Sequence, residues 1–368
     1  MLSKPQRTEL RSDLFRYLDG LGVSAPAYVL YQKGILNYIL ERQTVDLEKL
    51  SKHFKANEGY LNVALRLLAS QGWLTYKIEN SSNTITYQIN EQSNIAFEHC
   101  WLYKDVFELM LLSGKYHKRL FQKAPFQTWS TIVEKFKSHY GLTNSEDELT
   151  QQIRRQVFKH LEGILIAPSV VALGMSGMFH KYFMEHSFRP EEFHKDADSF
   201  ASLLDFFAHL GWFQKKKDTY RFTDIGLFFA KRASAFGVTV SYNPMFREME
   251  TLLFGDPKQL WDVPEGSPER HVDREMNVWG SGGSHGSYFK KVDEIIIDLF
   301  NKPIQEQPKG IVDMGCGNGA YIEHLFEVIS QRTERGKMLD EYPLFLVGAD
   351  YNEAALKVTR GNLIKADI

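Results

Sequence analysis

Cysteine is nearly absent from this chain of 368 residues: Cys100 and Cys316 are the only two, far apart and with no paired spacing. That excludes a disulfide framework and fits a reducing compartment. Net charge is scarce too. With 44 Lys and Arg against 46 Asp and Glu, the formal charge of −2 offers no pull towards nucleic acid or an anionic membrane. The opening Met1-Leu-Ser-Lys-Pro-Gln-Arg-Thr-Glu9 lacks the apolar segment of a signal peptide. Long hydrophobic runs are missing as well, and the most apolar, Gly163 to Leu173, reads as too short and too broken to span a bilayer. The expectation is a soluble, cytoplasmic protein with no nucleic-acid and no membrane partner. What is present is an ordinary globular balance, 43% apolar and 24% charged, over a length that suits two or three domains.

After a short polar lead, residues 25–40 carry apolar side chains at helical spacing. Asp46 opens a second helix to Phe54, and Asn57 caps a third over Glu58–Ser70 that stops at Gly72. Trp73–Ile78 and Thr84–Ile89 alternate about the polar turn 79–83 as a hairpin does. Three helices and a β-wing make a winged helix. Its third helix carries one basic residue, Arg66, and is otherwise largely apolar, which suits burial better than DNA recognition. An echo follows: Ser199–Phe213 repeats the Gly-Trp-apolar junction of Leu65–Leu74, Thr219–Asp224 repeats the second wing strand, and a helix over 225–232 closes the unit. Lys215-Lys-Lys217 reads as a solvated turn rather than an anion site.

Between the two units, residues 96–140 and 149–186 are mostly helical and dense in Phe, Leu, Met and Tyr. Ser145 is placed to cap the second of these stretches, and the Met and aromatic stripe over 174–184 reads as core or interface. His180 and His186 have no second ligand at metal spacing. Residues 241–288 hold Pro244, Gly255, Pro257, Pro264 and Pro268 before Trp279-Gly-Ser-Gly-Gly-Ser-His-Gly286, a composition that predicts a lid or a linker. His271, Asp273 and His285 have the residue types of a two-histidine, one-carboxylate iron site, although their spacing is closer than such sites use.

The chain is organised around Ile311-Val-Asp-Met-Gly-Cys-Gly-Asn-Gly-Ala-Tyr321. An apolar strand ends at Asp313, glycines follow at 315, 317 and 319, and a helical pattern opens at Tyr321. Strand, glycine turn and helix begin a nucleotide-binding βαβ unit, and the next strand ends in Asp350, where a carboxylate can take both hydroxyls of a ribose. Gly315-x-Gly317-x-x-Ala320 also fits a dinucleotide fingerprint, so that alternative stays open. Against it, Asp313 would repel a pyrophosphate. An acid and three alternating glycines suit S-adenosylmethionine, which has no phosphate and carries a sulfonium and an ammonium group. Trp279, Tyr288 or Phe289 could offer that sulfonium an aromatic face.

Asp-x-Gly-x-Gly-x-Gly over 313–319 resembles the first motif of class I S-adenosylmethionine-dependent methyltransferases, Gly348-Ala-Asp350-Tyr-Asn their second, and Lys365-Ala-Asp367 the place where an acid meets the adenine. The tandem modules resemble the winged helices that precede the catalytic domain of many small-molecule O-methyltransferases. Glu269-Arg-His-Val-Asp-Arg-Glu-Met-Asn-Val-Trp-Gly-Ser-Gly-Gly-Ser-His-Gly286, joined to 311–319, resembles a narrower group. These are the iron-dependent C-methyltransferases of polyketide synthase loading modules, as in the apratoxin pathway. That resemblance implies methylation of the α-carbon of a malonyl or acyl group on an acyl carrier protein, with iron or another divalent metal as Lewis acid. It carries no metal ligand and no catalytic base onto these positions. Implied cofactor contacts are Tyr288, Asp313, Gly315, Cys316, Gly317, Gly319, Asp350, Tyr351 and Asp367. A small-molecule acceptor, and a homodimer or larger synthase, stay open, as does a scaffold or dimerisation fragment that has lost its enzyme.

The fold class expected is therefore an α/β Rossmann-like methyltransferase core, shorter than the roughly seven strands such a core uses, preceded by a mostly α-helical lid with winged-helix-like modules. The division read from the sequence is a winged-helix-like module over 1–95, a helical region with the second module over 96–240, a lid or linker over 241–300, and the first half of the core over 301–368.

Overall fold

The computed structural model describes residues 2–79, 81–111, 123–143, 147–264, 267–282 and 285–368. It divides into two compact units, Met1–Asn277 and Val278–Ile368.

The first unit begins on α1 (Lys4–Gln32), so the expected polar lead is helical. Ser3 and Gln6 form a reciprocal capping box with Pro5 in the first turn, which nucleates the helix without apolar residues. The buried stripe is thin at first, Leu14, Tyr17 and Leu21, which is why hydrophobic periodicity misses the start. After Gly34, in the left-handed region at φ 76°, come α2 (Ile35–Arg42), α3 (Leu47–Phe54) and α4 (Glu58–Ser70). Asp46 accepts from Lys49 N at 2.9 Å and Asn57 from Tyr60 N at 3.1 Å, the caps read from the sequence. The wing is a three-stranded antiparallel sheet, β1 (Thr44–Asp46), β2 (Thr75–Glu79) and β3 (Thr84–Gln88), in the order β1-β3-β2. Its first strand, three residues long, has too little alternation to be seen in sequence.

The long helix α5 (Glu148–Met175) crosses α1 at two glycines. A Cβ on Gly20 would fall 2.4 Å from the His160 carbonyl oxygen, and one on Gly163 would fall 2.5 Å from Tyr17 Cα. Absence of both side chains lets the two backbones meet. Beside the crossing, the Tyr17 hydroxyl donates to the buried Glu162 carboxylate, and Lys159 Nζ lies 3.0 Å from Glu162 and 3.2 Å from Asp13. Ser145 lies outside the described residues, and the cap of α5 is Asp147, which accepts from Thr150 N at 2.7 Å. The reading of this stretch as too short and broken for a membrane is corrected: α5 is continuous, long and apolar enough to cross one. Its apolar window is 83% buried inside the protein, as in a core helix.

The second module is α6 (Ala197–His209), the hairpin β4 (Phe213–Lys216) and β5 (Thr219–Phe222), and α7 (Asp224–Ala230). The two Gly-Trp junctions have one geometry. Gly72 and Gly211 sit at φ 83° and 79°, Trp73 N donates to Leu68 O at 3.0 Å, and Trp212 N to Phe207 O at 2.9 Å. Both indoles are buried. Left-handed glycine closes each helix and turns the next residue into the core. On the second wing, Lys215 pairs with Asp205 at 2.7 Å and lies over the Tyr220 ring, while Lys216 and Lys217 are exposed.

Residues 241–288 are more regular than their composition suggests. Pro244 and Pro257 start short helices over Asn243–Phe246 and Pro257–Leu260, and Gly255 ends another over Met249–Phe254. Proline is pre-set for a first helical turn, so here these residues punctuate helices rather than loops. Asn57 N donates to Leu253 O at 2.7 Å, so 249–254 is packed against the first module. Trp279 lies on the helix Arg274–Gly282. His180 caps the short helix Lys181–Glu185, His186 lies against Tyr182, and within the Met and aromatic stripe Met178 is buried and Tyr182 half exposed.

The second unit is α8 (His285–Phe300), β6 (Gly310–Met314), α9 (Ala320–Arg332), β7 (Phe345–Ala349) and α10 (Glu353–Lys365). The strands pair in parallel, Val312 opposite Val347 and Asp313 opposite Gly348, which is the start of a Rossmann-like sheet. Val312, Met314, Phe345 and Val347 share one face and are exposed. The charged stretch 331–341 is anchored through a buried arginine. Arg335 donates to Tyr342 O and Pro343 O at 3.0 and 3.1 Å and to Gln307 Oε1 at 3.0 Å, so part of what reads as surface charge is a structural peg.

Candidate functional site

All three glycines of the turn are left-handed, with φ 85° at Gly315, 57° at Gly317 and 82° at Gly319. L-residues adopt this region only at a cost of about 1–2 kcal/mol each, so the backbone favours glycine at all three positions. Space differs among them. A Cβ on Gly315 or Gly317 would meet nothing within 4 Å, whereas one on Gly319 would fall 2.8 Å from Thr359 Cγ2. The first two thus keep room open beside the turn, and the third lets α10 approach.

The turn is tied to the end of β7. Gly315 N and Cys316 N both donate to Ala349 O, at 2.7 and 3.1 Å. Gly317 N donates to Asp350 Oδ2 at 2.9 Å, and Asp350 Oδ1 accepts from Asn352 N at 2.8 Å. From α10, Thr359 Oγ1 donates to Gly317 O at 2.8 Å and Asn362 Nδ2 to Asn318 O at 3.0 Å. Asp350 is therefore tied to the turn. A carboxylate has about four lone-pair positions. Two are used here, which leaves acceptor capacity for two hydroxyls.

The remaining expected contacts are placed unevenly. Asp313, the penultimate residue of β6, lies close enough to Tyr321 that, after burial as the larger cause, its charge helps raise the phenol above its usual range. Cys316 sends its side chain inward: it is buried, 3.7 Å from Thr359 Oγ1, and a Cβ on Gly348 would meet its sulfur at 3.1 Å. With its N–H given to Ala349 O and its thiol buried, Cys316 packs the βαβ unit. Tyr351 stands fully exposed beside Asp350, and Tyr288 on α8 is 67% exposed. Asp367 follows the end of α10 at φ 58°, exposed, and none of the described hydrogen bonds ties it to the turn. Phe289 stacks on Tyr321 and His324, with ring centroids 4.8 and 4.9 Å apart. Buried Asp293 braces that cluster, 2.6 Å from His324 Nε2 and 3.1 Å from Arg332. Sequence reasoning missed Thr359, Asn362 and Asp293, and a single sequence holds no signal for them, since each acts across 31 to 44 residues.

Two of the three residues with iron-site chemistry, His271 and Asp273, are described, and they serve other contacts. Among the described residues no group of three or more His, Cys, Asp or Glu gathers. His271 lies against the Trp261 ring, centroids 4.1 Å apart, and Asp273 accepts from Met276 N at 3.3 Å at the start of a helix. His285's side chain lies outside the described residues. The residues seen thus do not fit a metal centre.

A parallel βαβ unit with three left-handed glycines and an acid after its second strand defines a Rossmann-like core, here in a chain that also carries winged-helix modules. Comparison with protein families makes this particular. Residues 269–368 match the model described as an AprA MT2-like domain, 162–256 the AprA winged helix domain, and 10–76 the AprA N-terminal domain. The chain resembles the apratoxin-type methyltransferases, which supports a methyltransferase in a polyketide-type context. A comparison with curated proteins finds no match.

Proposed function

We propose that this protein is an S-adenosylmethionine-dependent methyltransferase acting on the α-carbon of a malonyl or acyl group carried by an acyl carrier protein, in the cytoplasm. The observation that carries the cofactor half is the open space beside Gly315 and Gly317, with Asp350 tied to the same turn. The family matches support the polyketide half. When bound, S-adenosylmethionine supplies a methyl group from its sulfonium in an in-line displacement. Asp350 would receive ribose hydroxyls on the lone pairs its two backbone donors leave. Asp313, an anion beside the turn, would favour the cationic amino-acid end and disfavour a pyrophosphate. Gly315 and Gly317 would admit the ligand by having no side chain. The protein's further contribution is alignment of the reacting atoms and exclusion of water.

Calorimetry tests this directly. Titration of the 368-residue chain with S-adenosylmethionine should give saturable heat, and Gly317→Val, which fills the open side of the turn, should abolish it while circular dichroism stays native. Heat with NAD and none with S-adenosylmethionine would instead establish the dinucleotide alternative.

A further inference from the structure

We infer that Thr359 and Asn362 are positioning residues, holding the peptide groups of the glycine turn so that the Asn318 N–H is presented to the carboxylate of the cofactor's amino-acid end. This rests on the S-adenosylmethionine reading above. Thr359 is buried, on the second turn of α10, and the single hydrogen of its hydroxyl is shared between Gly317 O at 2.8 Å, the nearer acceptor, and Ala355 O at 3.1 Å. None of the described peptide bonds is cis. In a trans peptide the carbonyl and the following N–H point in opposite directions. Fixing Gly317 O towards α10 therefore turns the Asn318 N–H away from α10.

None of the described hydrogen bonds uses that N–H. Its neighbours are all committed: Gly317 N to Asp350, Gly319 N to Cys316 O at 2.9 Å, and Ala320 N to Asn318 Oδ1 at 3.2 Å. Asn362 repeats the device one peptide later. By holding Asn318 O at 3.0 Å it sets the direction of Gly319 N, whose bond to Cys316 O closes the turn. Gly317 itself is gripped on both sides, its N–H by β7's terminal acid and its carbonyl by α10, so φ 57° is fixed without a side chain. A single outward N–H at the head of a helix suits an anion, and the carboxylate is the one anionic group of S-adenosylmethionine. Asp350, on the opposite side of Gly317, then takes the ribose.

The test compares two ligands on the full chain by calorimetry: S-adenosylmethionine, and adenosine, which lacks the amino-acid end. Thr359→Val should weaken S-adenosylmethionine about tenfold, the scale of one oriented hydrogen bond, with adenosine binding unchanged. Thr359→Ser, which keeps the hydroxyl, should restore it. Asn362→Ala, at a half-buried position that tolerates truncation, should give the same selective loss and keeps the inference testable if the valine variant misfolds. Equal loss of both ligands would mark a merely structural role and overturn the inference, as would S-adenosylmethionine binding unchanged in the variants. A wild-type chain that binds adenosine but not S-adenosylmethionine would remove the methyltransferase reading itself, and this inference with it.

Discussion

Gly317 and Gly319 share a backbone conformation and differ in what surrounds them, which makes them a controlled pair. Alanine at Gly317, φ 57°, meets open space, so only left-handed strain opposes it, about 1–2 kcal/mol. Alanine at Gly319, φ 82°, carries the same strain and also sets its Cβ 2.8 Å from Thr359 Cγ2. Overlap of that kind adds about 1–3 kcal/mol, since a buried β-branched side chain has little freedom to retreat. Local opening is read by hydrogen exchange of peptides spanning 310–332. Each 1.4 kcal/mol or so lost speeds exchange about tenfold. Gly319→Ala should therefore exchange at least several-fold faster than Gly317→Ala. A second substitution isolates the cause: Thr359→Ser keeps the hydroxyl bonds and removes Cγ2. In the Gly319→Ala background it should recover the overlap component and leave the φ strain. Equal acceleration in the two single variants, or no recovery in the double variant, would refute the assignment of Gly319 to helix approach and of Gly317 to ligand access.

Three further predictions concern the first unit. Gly163→Ala should cost about 3 kcal/mol or more in urea denaturation, because its Cβ meets Tyr17 backbone at 2.5 Å and α1 and α5 must separate to relieve it. Gly22→Ala, on the same helix α1 with nothing within 4 Å, should be neutral or stabilising by up to about 1 kcal/mol. His160, fully buried with Nδ1 2.7 Å from the Tyr103 hydroxyl, is pushed down to about 3, first by burial and then by the Arg16 charge. The unfolded chain takes this proton near pH 6.5 and the folded chain does not. Its contribution is thus full above about pH 6.5 and falls towards pH 3, by about 2 kcal/mol between pH 7 and 5. His160→Phe should flatten the acid limb of stability by that amount, measured as the difference in urea midpoints at the two pH values.

What was legible in the sequence is what short-range chemistry determines. Asn57 and Asp46 announce helix starts because a side-chain oxygen meets an N–H three residues on, and the two Gly-Trp junctions announce helix ends because only glycine turns left there cheaply. Composition misled where the same residues serve two grammars. Pro244, Pro257 and Gly255 suggest a loop, yet they begin and end short helices. The start of α1 escapes hydrophobic periodicity for the opposite reason: its signal is the capping box Ser3-Lys-Pro-Gln6, which nucleates the helix before any apolar stripe begins. Its close crossing with α5 has no local signature, since Gly20 and Gly163 acquire meaning only from partners about 140 residues away in the chain, a separation the helix-crossing contacts alone reveal.

At the site, the sign of φ at three glycines could be read from spacing, but the use of each neighbour could not. Cys316 sits between two of those glycines, among the contacts the resemblance implies, and its side chain points inward. A turn with successive left-handed glycines reverses direction at almost every residue, so the side chain between them is sent to the opposite side, against Gly348 and Thr359. That inward cysteine packs the turn on β7 and α10 while the glycine positions stay bare. The same logic explains the missed threonine. A turn with no side chains of its own cannot hold its conformation by packing, so its peptide groups must be gripped from outside, and in a βαβ unit the donors within reach are the acid ending the second strand and the helix that follows it. The glycines thus imply that some polar residues on that helix exist, although which ones they are follows only from the fold.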